Sequence, residues 1–71
     1  MNVTVLGDGG WGTALATVLA GNSVPVTMWG AFPDYLEEMA ATRTNHRFLP
    51  GVELPKEILF EPDLGKAVVN A

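Results

Sequence analysis

Gly7-Asp8-Gly9-Gly10-Trp11-Gly12 sets three glycines at the spacing G-x-G-x-x-G. Residues without side chains at that spacing suit one kind of chemistry, the close approach of a ligand to main-chain atoms. Gly7 lets the backbone leave an extended segment in a tight turn. Gly9 leaves room for a pyrophosphate against the chain, and Gly12 lets a helix lie close on a sheet. The N–H groups of the first helical turn lack acceptors of their own and face the phosphates, aided by the helix dipole. The alternative is a glycine-rich strand-to-helix turn with no ligand.

Asp8 sits awkwardly in such a loop. A carboxylate about 7 Å from a phosphate charge repels it by ~2 kcal/mol at an effective dielectric near 20. Its side chain is expected to point away from the phosphates or to be offset by backbone donors, and a water-facing loop acid is the preferred reading. A second diagnostic of dinucleotide binding is an acid roughly 20 residues beyond the glycines, bonded to the adenosine ribose. That zone holds Met28, Trp29, Gly30, Ala31 and Phe32, with no carboxylate before Asp34 and no adjacent arginine for a 2′-phosphate. The residues therefore leave NAD and NADP both open.

The loop needs a strand before it and a helix after it. Val3 to Leu6 is a short, partly β-branched run with the make-up of a strand covered on both faces. Trp11 to Ala20 reads as a helix whose stripe is Trp11, Leu15, Val18 and Leu19, and Gly21 is its natural stop. Val24 to Trp29 reads as a second strand, with Pro25 tolerable only near its start. Pro33 opens a second helix with Asp34 and Glu37 near its positive end and Leu36, Met39 and Ala40 on its buried stripe, fading near Thr42. Thr44 to Pro55 is expected to be irregular, with Pro50-Gly51 as a turn. Ile58-Leu59-Phe60 is a third strand, and Asp63 caps a last short helix running toward Ala71. Strands alternating with helices imply an α/β fold with parallel pairing, here a partial βαβαβα.

Composition narrows the function classes. The chain has 71 residues, no cysteine and a net charge of −4. Length allows one small domain and argues against a complete multi-domain enzyme. Without cysteines there are no disulfides or thiolate zinc sites to staple a core that is small for independent stability. The 48% hydrophobic content is not that of a disordered tail. Four basic residues against eight acidic ones leave no electrostatic footprint for nucleic acid. No apolar run reaches the ~20 residues that span a bilayer, and the start lacks the features of a signal peptide, so a cytoplasmic setting is the default expectation.

Three strings carry a family resemblance: V-L-G-D-G-G-W-G-T-A-L-A at Val5 to Ala16, M-W-G at Met28 to Gly30, and F-L-P-G-V-E-L-P at Phe48 to Pro55. They resemble the N-terminal segment of NAD(P)-dependent glycerol-3-phosphate dehydrogenase. Trp11 inside the glycine loop and the later Leu49-Pro50-Gly51 are far more specific than the glycines. The resemblance implies a Rossmann-type cofactor domain, with residues 1–71 as its N-terminal part and the catalytic helical domain outside this chain. It implies an enzyme interconverting dihydroxyacetone phosphate and sn-glycerol 3-phosphate, feeding phospholipid synthesis in the bacterial branch. It also implies a cofactor-binding set of Gly7, Gly9, Gly10, Trp11, Gly12, Ala31 and Phe48. Ala31 stands where the family commonly has an arginine that meets the adenosine phosphate, a departure that weighs against NADP. Gly10 stands where serine is frequent, keeping the N–H but losing a hydroxyl.

The family's catalytic lysine lies in the helical domain, and a further ligand-contacting lysine follows the fourth strand. Lys56 and Lys66 match neither position, so no catalytic residue is assigned and the isolated chain is expected to show no dehydrogenase turnover. Two other readings compete, a noncatalytic nucleotide-sensing module and another dehydrogenase with the same N-terminal domain type. His46 has no metal-ligand partner at a suitable spacing and reads as a solvated loop histidine. Arg43 and Arg47 read as water-facing, with a phosphate contact as the alternative. For Trp11 and Phe48, packing and cofactor contact are balanced; Trp29 reads as packing. Open sheet edges and an uncovered face are expected to leave the chain alone partly molten or associating, a homodimer being one form this takes.

Overall fold

The computed structural model describes residues 2–69. Along them run β1 (Val3–Leu6), α1 (Gly10–Gly21), β2 (Val26–Trp29), α2 (Pro33–Thr42), β3 (Thr44–Asn45), β4 (Leu49–Glu53), β5 (Leu59–Phe60) and α3 (Leu64–Val68). β1, β2 and β5 form a parallel sheet in the order β1-β2-β5, and β3 and β4 form a separate antiparallel pair. The α/β alternation read from the sequence is present.

Strand register decides which residues share a face. Val5, Met28 and Phe60 stand in one row across the sheet, next to the Val3–Val26 pair. This face is dry: Val5, Val26 and Met28 pack with Ala16 and Ala20 of α1 and with Ile58. Phe60 also packs against Tyr35, Leu36 and Met39 of α2. The alternate row, Thr4, Thr27 and Leu59, lies on the opposite face because successive side chains in a strand alternate. There α3 docks, with the Thr4 hydroxyl donating to the Ala67 carbonyl at 2.6 Å. Its five residues cover little, and Leu6 and Leu59 remain exposed. β1 is thus well covered on one face only, short of the two-sided burial expected for it.

α1 corrects the sequence reading of its buried side. Trp11, Leu15 and Val18 are exposed and Leu19 is half-buried, while Ala16 and Ala20 pack on the sheet and Thr13 is buried against Asn45. The reason is proximity. A β-carbon on Gly12 would lie 2.6 Å from the Gly7 carbonyl oxygen and 3.2 Å from Val5 Cγ1. A helix held that close has room beneath it for small side chains only, so the large ones turn outward.

The segment 44–55 is a second correction, since it holds the β3–β4 hairpin rather than irregular chain. Pro50-Gly51 does not close a turn between elements but lies inside β4, where the register shifts between the Thr44–Glu53 and Asn45–Leu49 pairs. Pro50 has no N–H to donate, and Gly51 takes φ +80°, which together suit the irregular part of a short strand.

The remaining elements start and stop for local reasons. β2 begins at Val26, two residues later than expected, because Ser23 at φ +64° and Pro25 belong to the turn. Pro33 opens α2 with Asp34 in its first turn, and Leu36 and Met39 are buried as expected, joined by Tyr35. Arg43 ends the helix in the left-handed region at φ 55°. Its guanidinium donates to the Pro55 and Ile58 carbonyls at 3.0 and 2.9 Å and lies 5.1 Å from the Phe60 ring centroid. Arg43 is therefore a tether between the end of α2 and the entry to β5, not a water-facing side chain. Asp63 caps α3 by accepting from the Lys66 N–H at 3.0 Å. Any continuation toward Ala71 lies outside the described residues. No helix among them is long and apolar enough to cross a membrane.

Candidate functional site

β1 ends at Leu6 and delivers the chain to Gly7, whose N–H still donates to the Trp29 carbonyl at 2.7 Å. Gly7 then takes φ +125°, a conformation that side-chain-bearing residues rarely adopt, and the chain swings into Gly9, the N-cap of α1. Gly9 makes no side-chain cap bond, and the first turn contains no acid. The first backbone bond of the helix runs from Thr13 N–H to the Gly9 carbonyl at 2.9 Å. The N–H groups of Gly10, Trp11 and Gly12 consequently have no carbonyl one turn behind them. A β-carbon on Gly9 would meet nothing within 4 Å, so a ligand can approach the main chain there.

Three of the four features that a pyrophosphate requires are therefore present: a tight exit from the strand, open space at Gly9 and uncapped donors on a helix of 12 residues. The fourth, close helix–sheet packing at Gly12, is equally clear. These residues fit a dinucleotide.

A side chain from outside the loop holds it in shape. Asn45, on β3, is fully buried. Its amide nitrogen donates to the Asp8 carbonyl and to the Thr13 hydroxyl, both at 2.7 Å. Its oxygen accepts from the Tyr35 hydroxyl and, at 3.3 Å, from the Phe48 N–H. The carbonyl of Asp8 can only accept, so it fixes which end of the amide faces the loop. All the hydrogen-bonding capacity of one buried side chain is spent joining the glycine loop, α1, α2 and the hairpin. Sequence reasoning missed Asn45, Thr13 and Tyr35 as parts of the site. The one available signal was the nearness of Asn45 to Phe48 in the third string, and a polar residue there reads as a turn.

The expected cofactor-binding residues fall into one region. Gly7, Gly9, Gly10, Trp11 and Gly12 form the loop itself. Phe48 is brought to it by the hairpin: a β-carbon on Gly10 would lie 3.0 Å from the Phe48 carbonyl oxygen. The Phe48 side chain is 49% exposed, so it does not anchor the core. Trp11 is 93% exposed, which rules out a wedge between helix and strands. With Gly12, Ala14, Leu15 and Val18 it lines a shallow, open apolar depression along α1. Ala31 is exposed just beyond β2, next to the buried Gly30.

Asp8 overturns its reading as a solvated loop acid. The residue is half-buried, and its Oδ2 is buried without a hydrogen-bond partner. The carboxyl group packs on Gly30, where a β-carbon would come within 2.8 Å of Asp8 Cγ. That contact places it beside the end of β2. Trp29 is half-buried and donates from its indole to the Pro62 carbonyl at 2.9 Å, in keeping with a packing role. His46 is exposed, with its ring edge-on to Tyr35 at 5.6 Å, and Arg47 lies 4.9 Å from the Tyr35 ring centroid. Among the described residues no cluster of His, Asp or Glu is arranged to hold a metal ion.

Comparison with known proteins agrees with this geometry. Residues 2–71 match the family described as NAD-dependent glycerol-3-phosphate dehydrogenase N-terminus. A glycerol-3-phosphate dehydrogenase [NAD(P)+] of Chlorobium phaeobacteroides is 45% identical over 71 residues, 100% of this chain and 21% of that protein. The crystal structure of a glycerol-3-phosphate dehydrogenase from Coxiella burnetii superposes with a TM-score of 0.87 at 37% identity, covering 94% of this chain and 21% of that one. The yeast enzyme of the same name gives 0.86 at 32% identity, covering 100% of this chain and 24% of its own. The chain thus spans about a fifth of the length of these curated relatives.

Proposed function

Since the chain belongs to the family of NAD-dependent glycerol-3-phosphate dehydrogenase N-termini, we propose that residues 1–71 are the N-terminal part of an NAD(P)-binding domain. The full-length enzyme interconverts dihydroxyacetone phosphate and sn-glycerol 3-phosphate, running toward ketone reduction for phospholipid synthesis. Its catalytic group belongs to a helical domain outside this chain. The nicotinamide, when bound, supplies the hydride. What these residues do is bind and orient. Gly10, Trp11 and Gly12 offer main-chain donors to the pyrophosphate, Gly7 and Gly9 let it approach, and Asn45 keeps the Asp8 carbonyl turned inward. Phe48 and Ala31 flank the same loop on the hairpin and β2 sides.

One observation carries this reading: the N-terminus of α1 is uncapped by any side chain and lies open above Gly9. The test is titration of NADH into the full-length polypeptide that carries this chain, followed by NMR. The amide signals of Gly9, Gly10, Trp11 and Gly12 shift on saturation, and Gly9→Val weakens binding at least about tenfold by filling the space at the phosphates. Unmoved signals at saturating coenzyme would sink the proposal.

A further inference from the structure

We propose that Asp8 supplies, from the glycine loop, the carboxylate that holds the adenosine ribose, and that it makes this site select the coenzyme without a 2′-phosphate. The inference rests on the reading that the loop grips a dinucleotide, and it names the specificity of that grip.

Folds of this kind hold the adenosine ribose beyond the end of the second strand, where an acid accepts from the 2′-hydroxyl. Here β2 ends at Trp29 and is followed by Gly30, Ala31 and Phe32, so the usual position carries no acid. The tertiary structure brings one there by another route. The Asp8 carboxyl group lies against Gly30, and only the missing β-carbon of Gly30 makes room for it, since Cγ would stand 2.8 Å from that atom. Gly30 is buried, so the carboxylate rests on a fixed surface.

A carboxylate oxygen buried without a partner is costly and calls for an explanation. Asp8 Oδ2 is such an atom, packed against Gly30, and the ribose hydroxyl is assigned to the other oxygen of the same carboxylate, Oδ1. The chain's arginines do not neutralise the group. Arg43 is committed to the Pro55 and Ile58 carbonyls, and Arg47 lies over Tyr35. An acceptor with uncompensated negative charge welcomes a hydroxyl and opposes a phosphate carrying close to two charges.

The experiment uses the full-length polypeptide that carries this chain and measures NADH and NADPH binding by tryptophan fluorescence and calorimetry. NADH is expected to bind about tenfold or more tightly than NADPH, as the charge repulsion implies. Asp8→Asn keeps the shape and removes the charge, so it brings the two affinities within about threefold, chiefly by improving NADPH. Gly30→Ala displaces the carboxyl group without altering it, and it narrows the gap in the same direction. Wild-type protein that binds NADPH as tightly as NADH overturns the inference. So does a ratio that neither variant changes. If the wild type binds neither coenzyme, the dinucleotide reading itself fails and takes this one with it.

Discussion

The side-chain amide of Asn45 donates to the main-chain carbonyl of Asp8 at 2.7 Å, joining residues 37 apart in sequence. Through that bond a two-residue strand dictates the conformation of the glycine loop. Replacing Asn45 with alanine takes the acceptor from the Tyr35 hydroxyl and the shorter of two donors from the Asp8 carbonyl. It leaves them the Arg47 N–H at 3.2 Å and the Thr13 hydroxyl at 3.3 Å, at about 1 kcal/mol for each bond lost. We expect Asn45→Ala to lower the unfolding free energy of the full-length polypeptide, measured by denaturant titration, by about 2 kcal/mol and to weaken coenzyme binding. Tyr35→Phe removes two bonds, the one donated to Asn45 Oδ1 and the one accepted from the Arg47 N–H, and should cost about 1–3 kcal/mol with little change in affinity. Equal effects of the two variants on affinity would mean that Asn45 does not shape the loop.

Gly12 and Gly21 lie in the same helix and should respond oppositely to alanine. At Gly12 the new carbon would meet the Gly7 carbonyl oxygen at 2.6 Å, a backbone atom that cannot step aside cheaply. Gly12→Ala is expected to destabilise by about 1–3 kcal/mol, as overpacking does. At Gly21 nothing lies within 4 Å, and alanine should stabilise by roughly 0.4–1 kcal/mol through the unfolded state. Thermal unfolding of both variants checks the pair, and a tolerated Gly12→Ala would contradict the close helix–sheet contact.

Arg43 is also open to test. Its guanidinium bridges two carbonyls and covers the Phe60 ring, a geometry that a lysine ammonium does not reproduce. Arg43→Lys should cost about 1–2 kcal/mol in chemical denaturation. A variant as stable as the parent would show the tether to be idle.

The outward stripe on α1 makes a prediction about association. Trp11 and Leu15 are exposed and belong to one apolar strip with Val18. In the 71-residue chain by itself, Trp11→Ser combined with Leu15→Gln should reduce self-association in sedimentation while changing stability by no more than about 0.5 kcal/mol per site. Undiminished association would direct attention to the open edges of β1 and β5 instead.

What the sequence determined by itself was local. Apolar runs, prolines and glycines act over a few residues, and they marked β1, α2, the glycine loop and the Asp63 cap at or near their observed places. The alternation of strand and helix then left few arrangements, and the parallel sheet followed. Tertiary structure decided whatever depends on residues far apart in the chain. The spacing of Trp11, Leu15 and Val18 defines a stripe, but spacing cannot say whether that stripe faces in. The gap between α1 and the sheet decides it, and Gly12 makes that gap too narrow for large side chains. The hairpin after α2 was hidden because Pro50 and Gly51 read locally as a turn, and only pairing with Thr44 and Asn45 makes them part of a strand. Asn45 and Asp8 looked like ordinary polar loop residues. Burial against Thr13 and Tyr35 in one case, and against Gly30 in the other, gave each its role, because the worth of a polar group depends on what replaces water around it.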